Sequence, residues 1–399
     1  MKKLLLVAIC LMAITSFSKN KTWMCLQEDG SVAFQLEAKY VYDFNEGFAP
    51  VKVSSIVNNQ WVYNIGFVNK KGEFSVPPRY KKTKGSGFTN GVAWVQKHDS
   101  DYWTLIDTTG REIPTKNYEK VGYIFKNNFD LIAVYRNDQL GFINLKGEEV
   151  IPCKYLGGTF FAHGLACVTP YESKEEKYGF INPKGEIAIP FQFKQAGMAT
   201  FEDNGMCRAN VAGKTVLIDK SGKIVFKTDK GNIQGVSNNW VRVFTKKDRS
   251  GWGFLSFDDQ WMIQPKYDDL DEFNTLGYSA ARKNGLVGLI DTADQTLISF
   301  KYETIYADPE SFLITALYPT AEPESMINTP KDYYNQNFER IEIPEKLHYV
   351  YGTDKGKLIR YQTDNKMIGY LNKQLTIVIP AVYKRANAFN DGLAWVSKL

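Results

Sequence analysis

The stretch GFINLKGEEVIPCKYLGGTFFAHGLACV at residues 141–168 is followed by GFINPKGEIAIPFQF at residues 179–193. Near-identity over so short an interval marks an internal repeat, and a repeat fixes the architecture before any single element is assigned. Its clearest part is a four-residue turn. Asn69-Lys70-Lys71-Gly72, Asp107-Thr108-Thr109-Gly110, Asn144-Leu145-Lys146-Gly147, Asn182-Pro183-Lys184-Gly185 and Asp219-Lys220-Ser221-Gly222 share one pattern, with glycines 37 or 38 residues apart. An Asn or Asp at the first position can bond the backbone two residues on. Gly at the fourth supplies the positive φ of a type I turn with a bulge.

The flanks agree with a hairpin. An apolar strand precedes each turn (Gly66-Phe67-Val68, Gly141-Phe142-Ile143, Gly179-Phe180-Ile181). A second strand follows and runs through Ile/Val-Pro to an aromatic, as at Tyr80, Tyr118, Tyr155 and Phe193, with Pro152 read as a strand end. Weaker copies continue through Asp259 to Tyr267, Asp294 to Tyr302 and Leu375 to Tyr383. Leu is costly at positive φ, so the Leu375 hairpin is expected to use a different turn. A third strand follows Phe…Gly-x-Ala, as in Phe88…Gly91-Val92-Ala93 and Phe389…Gly392-Leu393-Ala394.

Three strands in about 38 residues leave no room for a helix. Each unit has one apolar face and needs a neighbour to cover it. The expected fold is all-β: about nine to ten three-stranded antiparallel repeats in an open superhelical stack, with a closed or near-closed propeller as the alternative. Residues 19–316 read as repeats, 317–362 as a degenerate repeat with a loop insertion spanning Tyr318 to Tyr334, and 363–399 as a C-terminal repeat. The last strand, around Ala394-Trp395-Val396, has no successor in sequence. Its edge is expected to be open to self-association or to a partner strand.

Trp252-Gly253-Phe254, the polar turn after it, Ile263-Gln264-Pro265-Lys266-Tyr267 and a later Phe…Gly-Leu-Ala together resemble the bacterial WG-containing (KWG) repeat. The Trp-Gly pair is intact at Trp252-Gly253, whereas Leu140, Tyr178 or Met367-Ile368 stands near that position elsewhere. The resemblance implies tandem β-repeats, often in exported proteins, with no common activity. No functional residue is carried over from it.

The N-terminus supports export. Lys2 and Lys3 precede an apolar run from Leu4 to Phe17, and Ser16-Phe17-Ser18 offers a small-x-small cleavage site, so residues 1–18 read as a signal peptide. The run is too short to span a bilayer, and no later segment does, so no membrane insertion is expected after its removal. Cys25, Cys153, Cys167 and Cys207 then remain, without CxxC spacing; buried thiols are the better reading for Cys167 and Cys207.

Charge excludes a nucleic-acid footprint: 49 basic and 44 acidic residues are scattered, with a net charge of +5. Catalytic patterns are lacking. The three histidines, His98, His163 and His348, form no known motif, and Gly213-Lys214-Thr215 lacks the upstream glycine of a phosphate loop. Asp258, Asp259, Asp268, Asp269, Asp271 and Glu272 lie in polar turns without calcium-loop spacing. No catalytic residue, metal or cofactor is assigned. The candidates for binding are aromatics less tied to the repeat frame: Trp61, Tyr63, Trp240 and Trp261. The reading is a non-catalytic exported scaffold, periplasmic, cell-surface or secreted, that binds a protein or other macromolecule over an extended surface. The alternatives are a carbohydrate or cell-wall module using exposed aromatics, and an enzyme with a carboxylate site of unfamiliar pattern, which a raised pKa at Asp258 or Asp271 in a deep pocket would favour.

Overall fold

A computed structural model describes residues 20–126, 129–172, 177–194, 199–237, 239–245, 251–311, 313–320, 328–344, 347–351, 354 and 356–398. The signal segment, with Cys10, lies outside the described residues. So do residues 321–327 of the expected loop insertion. The described residues hold strands and no helix, and their sheets are small and antiparallel.

The repeats are all-β and antiparallel as expected, with four differences. First, most sheets have four strands in sequential order, the build of a propeller blade. The extra strand is the first, and apart from Asn232–Ser237 it is only two or three residues long, as at Tyr40–Val41, Lys82–Thr83, Lys120–Val121, Asp269–Leu270, Thr304–Tyr306 and Arg385–Ala386. So short a strand cannot show alternation, and in sequence it reads as a connection.

Second, the proline of the Ile/Val-Pro signature does not end its strand. Glu149–Gly158 runs through Pro152 without a break. In the strands that follow the turns, the pairing shifts register between the Ile and the aromatic. Tyr178 faces Phe193 but Phe180 faces Ile189; Trp252 faces Tyr267 but Phe254 faces Ile263. The proline sits in this bulge, where no ladder N–H is required. The glycine of Gly-Phe-Ile lies opposite. A Cβ at Gly141 would come 2.7 Å from Ile151 O, and one at Gly253 would come 2.6 Å from Ile263 O. The residue before the Phe of Gly-Phe-Ile is therefore Gly because the bulged strand leaves no room for a side chain.

Third, Leu375 keeps the common turn. Asn144 Oδ1 accepts from the backbone N–H groups of Lys146 and Glu148, each at 3.0 Å, while Gly147 N–H donates to Asn144 O at 3.0 Å. Asn372 repeats the arrangement with Gln374 and Thr376, at 3.0 and 2.9 Å. Leu375, at φ 59°, takes the place of the glycine. Three hydrogen bonds outweigh the left-handed penalty of about 1–2 kcal/mol. Phe338, at φ 64°, does the same in the Asn335 turn. That turn lies in the sheet formed by Thr304–Tyr306, Ile314–Leu317, Lys331–Tyr334 and Arg340–Ile341. Lys331–Tyr334, expected as loop, is thus a strand.

Fourth, the last strand has no open edge. Leu393–Ser397 lies between Lys21–Gln27 and Arg385–Ala386 in one sheet, with Met24 facing Val396 and Gln27 facing Leu393. The expected edge for self-association is covered by the first described strand of the chain.

Backbone contacts divide the chain into two compact units, residues 1–153 with 356–399, and residues 154–355. Within each unit the cores are layers of side chains between consecutive sheets. In the first, Trp23, Cys25, Phe44, Val51, Val68 and Trp395 form one cluster, and Phe67, Val76, Tyr80, Phe88 and Val95 form another. In the second, Cys167, Tyr178, Phe180, Phe193, Phe201 and Cys207 pack together. The turn glycines touch the sheet before them. A Cβ at Gly110 would lie 3.1 Å from Val76, one at Gly222 would lie 2.8 Å from Ile189, and one at Gly147 would overlap Pro114 O.

A second link recurs between consecutive sheets. The aromatic that ends the fourth strand donates its hydroxyl to an acid of the next repeat, and a nearby Lys pairs with that acid. Tyr118 and Lys116 meet Glu149 at 3.3 and 2.9 Å. Tyr267 donates to Asp294 at 2.6 Å beside Lys266. Tyr302 and Lys301 converge on Asp332, together with Tyr318 and Arg340. Burial and the adjacent Asp294 carboxylate push the Tyr267 hydroxyl well above the usual phenol range, so it remains a donor.

These contacts set measurable expectations. Gly147→Ala should cost about 2–4 kcal/mol, combining left-handed strain with the Pro114 clash; Gly91→Ala, at φ 74° in open space, should cost about 1 kcal/mol. Leu375→Gly should stabilise by about 0.5–1 kcal/mol, relieving the same strain, all three read by urea unfolding. Trp395 Nε1 donates to Tyr42 O at 3.0 Å, whereas Trp94 Nε1, in the equivalent slot, is buried with no hydrogen-bond partner among the described residues. Trp395→Phe should therefore cost about 1 kcal/mol more than Trp94→Phe. Equal costs would show that the indole N–H groups do not differ in energy. Burial pushes the thiols of Cys25, Cys167 and Cys207 up to about 12, and all are free. Roughly one thiol in 10⁴ is ionised at pH 8, so iodoacetamide should label these three only after unfolding.

Candidate functional site

One pair of strands in the first unit departs from the repeat. Phe48–Val57 and Gln60–Asn69 each run for 10 residues, against five to seven in most of the long strands elsewhere. The extension begins at Ser54 and ends at the two-residue turn Asn58-Asn59, whose φ values of 50° and 58° define a type I′ hairpin. Across it Ser54 faces Tyr63, Ser55 faces Val62, Ile56 faces Trp61 and Val57 faces Gln60.

The extension is paired only within itself. The strand Phe74–Tyr80 joins Gln60–Asn69 from Ile65 onward, and Tyr40–Val41 joins the other strand only at Val51 and Lys52. Two side chains close part of the edges. Asn20 binds the backbone of Ser54 on both sides, accepting its N–H at 2.9 Å and donating to its carbonyl at 3.1 Å. On the other strand His98 Nε2 lies 2.8 Å from Asn64 Oδ1. Beyond these points Ile56 and Val57 are 58% and 51% exposed. No residue from Val53 to Asn69 carries a charge, although 23% of the chain is charged. Edge strands are normally blunted by charge, proline or a bulge; this one is not.

Two of the aromatics singled out in the sequence, Trp61 and Tyr63, come together here, half-buried on one face, with Lys52 Nζ 5.2 Å from the Tyr63 ring centre. Trp240 and Trp261 lie in the second unit and face its packing. Trp240 contacts Phe254 and Phe273 at ring distances of 6.2 and 5.7 Å, and Trp261 packs on the cluster around Leu217, Phe226 and Leu255.

The remaining polar residues are dispersed. His163 Nε2 lies 3.3 Å from Asp203, and Asp259 accepts from Thr228 and pairs with Lys230. Asp268 accepts from Gly285 N–H, and Lys214 opens a strand and pairs with Asp229 at 2.5 Å. Among the described residues no three His, Cys, Asp or Glu side chains converge as a metal set. Burial, then Asp269, raises the Asp271 carboxyl above its ordinary range, against the pull of Arg242. Glu202, which the sequence reading did not single out, is raised by burial and by Glu272. It lines a cavity of about 400 Å³ with Tyr178, Arg208, Asn210 and Thr215.

A second cavity was equally hidden in the sequence. In the first unit, about 220 Å³ is enclosed by Lys84, Ser86, Thr89, Trp94, Tyr123 and Phe125. Tyr123 and Phe125 are 58% and 41% exposed, their rings 6.3 Å apart and tilted by 57°. Lys84 Nζ sits 4.9 Å from the Tyr123 ring centre. The pocket exists because the chain bends at Gly85 and Gly87, at φ 71° and 103°. A Cβ at Gly87 would come 2.9 Å from Pro50.

Comparison with known proteins identifies the family and little else. No curated protein matches the chain. Among solved structures, a eukaryotic initiation factor is 10% identical over 82% of this chain and 95% of its own, with a TM-score of 0.48. Apo AztD from Citrobacter koseri is 11% identical over 80% of this chain and 94% of its own, at 0.32. A protein of unknown function from Bacteroides caccae is 16% identical over 51% of this chain and 89% of its own, at 0.23. Such identities and scores say nothing of activity. The family model for the WG-containing repeat matches six segments, residues 23–55, 65–99, 141–169, 178–214, 252–286 and 368–398, together half of the chain. With the turns, the bulges and the glycines opposite them repeated in those segments, the chain belongs to the WG-containing repeat family.

Proposed function

We propose that this protein is a non-catalytic repeat scaffold that binds another protein by strand addition at the 54–63 hairpin extension. The observation that carries the reading is the uncharged extension, unpaired on its outer edges, with Ile56 and Val57 exposed. An extended segment laid along it would continue the sheet through main-chain hydrogen bonds, with Ile56 and Trp61 on one face and Val57 and Val62 on the other. The rest of the sheet fixes the hairpin at its base, which spares the partner much of the ordering cost.

An exported setting fits the same reading. Lys2, Lys3, the apolar run to Phe17 and the small-x-small site at Ser16–Ser18 support secretion, and the partner would then be an envelope or extracellular protein.

The double variant Ile56→Lys/Val57→Lys places two charges on the edge without touching a core position. Affinity capture from an envelope extract should recover a partner with the wild-type protein and lose it at least tenfold with the variant. The two thermal unfolding midpoints should agree within a few degrees. Capture that survives the double variant would overturn the hairpin as the docking surface. A Trp61→Ala variant should weaken capture in the same direction.

A further inference from the structure

The cavity at Lys84, Tyr123 and Phe125 is separate from the hairpin extension and has its own chemistry. Two aromatic rings stand open to solvent side by side at its mouth, and both line the cavity. The lining side chains include one formal charge, the Lys84 ammonium, held beside the Tyr123 ring. The neighbouring carboxylate, Glu46, is engaged elsewhere. It accepts from the backbone N–H groups of Asn90 and Gly91 at 2.9 and 3.0 Å and pairs with Lys126 at 3.8 Å.

Two hydroxyls complete the lining. Asn45 Nδ2 donates to Phe88 O at 2.6 Å and lies 3.4 and 3.3 Å from Ser86 Oγ and Thr89 Oγ1, which share its second hydrogen as acceptors. A hydroxyl used as an acceptor keeps its hydrogen available to donate. The cavity therefore offers flat apolar faces, two hydroxyl donors and one cation, within a volume suited to a single ring.

We propose that this cavity binds one carboxylate-bearing pyranose unit of an acidic saccharide. The C–H face of the sugar ring rests on Tyr123, its carboxylate pairs with Lys84, and its ring hydroxyls accept from Ser86 and Thr89. A neutral sugar would leave the ammonium without a counter-ion. An acidic peptide would match the charge but present no flat, hydroxyl-rimmed ring to the tilted aromatics.

The test is calorimetric titration of the intact protein with a glucuronate-containing hexasaccharide, a glucose hexasaccharide and an acidic hexapeptide. The uronate oligomer should bind at least tenfold tighter than the other two. Lys84→Gln should remove that preference, and Tyr123→Ala should weaken uronate binding at least tenfold. Both residues are exposed or half-buried and outside the core clusters, and unfolding midpoints verify that the variants fold. Equal binding of neutral and acidic sugars, tighter binding of the peptide, or wild-type affinity in Tyr123→Ala would each overturn the proposal, as would no binding at millimolar oligomer. The Ile56→Lys/Val57→Lys variant should bind the uronate oligomer unchanged, so failure at the hairpin and failure at this cavity give different results.

Discussion

The contact between a turn glycine and the fourth strand of the preceding sheet holds the repeat to its neighbour. At Gly110, Gly147 and Gly222 the turn comes so close that a single methyl group would have to displace Val76, the Pro114 carbonyl or Ile189. Close packing of this kind sets both the spacing and the orientation of consecutive sheets. The Asn or Asp at the start of the turn then has a double role. It fixes the turn locally, and it presents the glycine at the height where the neighbouring strand passes. In the strand Glu112–Tyr118 both devices meet, Gly147 against Pro114 and Glu149 holding Tyr118 and Lys116 at the far end, while the links at Asp294 and Asp332 fasten Trp261–Tyr267 and Thr296–Tyr302 in the same way.

Much of this was legible in the sequence because the constraint recurs. A hairpin turn written five times, with strands of fixed length on either side, leaves all-β repeats as the reading. The features that escaped have physical reasons. A first strand of two residues carries no periodicity, so Lys82–Thr83 and its counterparts look like connections. Pro152 looked like a strand end because sequence does not show a bulge that makes its missing N–H harmless. Leu375 and Phe338 at positive φ are local violations outweighed by the asparagine bonds around them.

Function was far less legible. Trp61 and Tyr63 could be singled out because they stand off the repeat frame, but the sequence does not show that their strands outrun the rest of the sheet. Trp240 and Trp261 carried the same signal and proved to face the packing. The pocket of Lys84, Tyr123 and Phe125 depends on residues from two consecutive repeats meeting across a glycine bend. Only the fold brings them together. In a repeat protein the recurring residues are spent on scaffold, and binding falls to positions where one unit differs from its siblings.

The sheet shared by Lys21–Gln27 and Leu393–Ser397 has a consequence for biogenesis. Its first strand emerges from the ribosome long before its partner exists, so the first unit cannot complete that sheet during synthesis. The pairing of Met24 with Val396 is among the least local contacts a chain of this length can make, and contacts of that kind slow folding. The sheet begun by Lys21–Gln27 stays short of its central strand until residues 393–397 have been made, so the earliest described strand is among the last to be sealed.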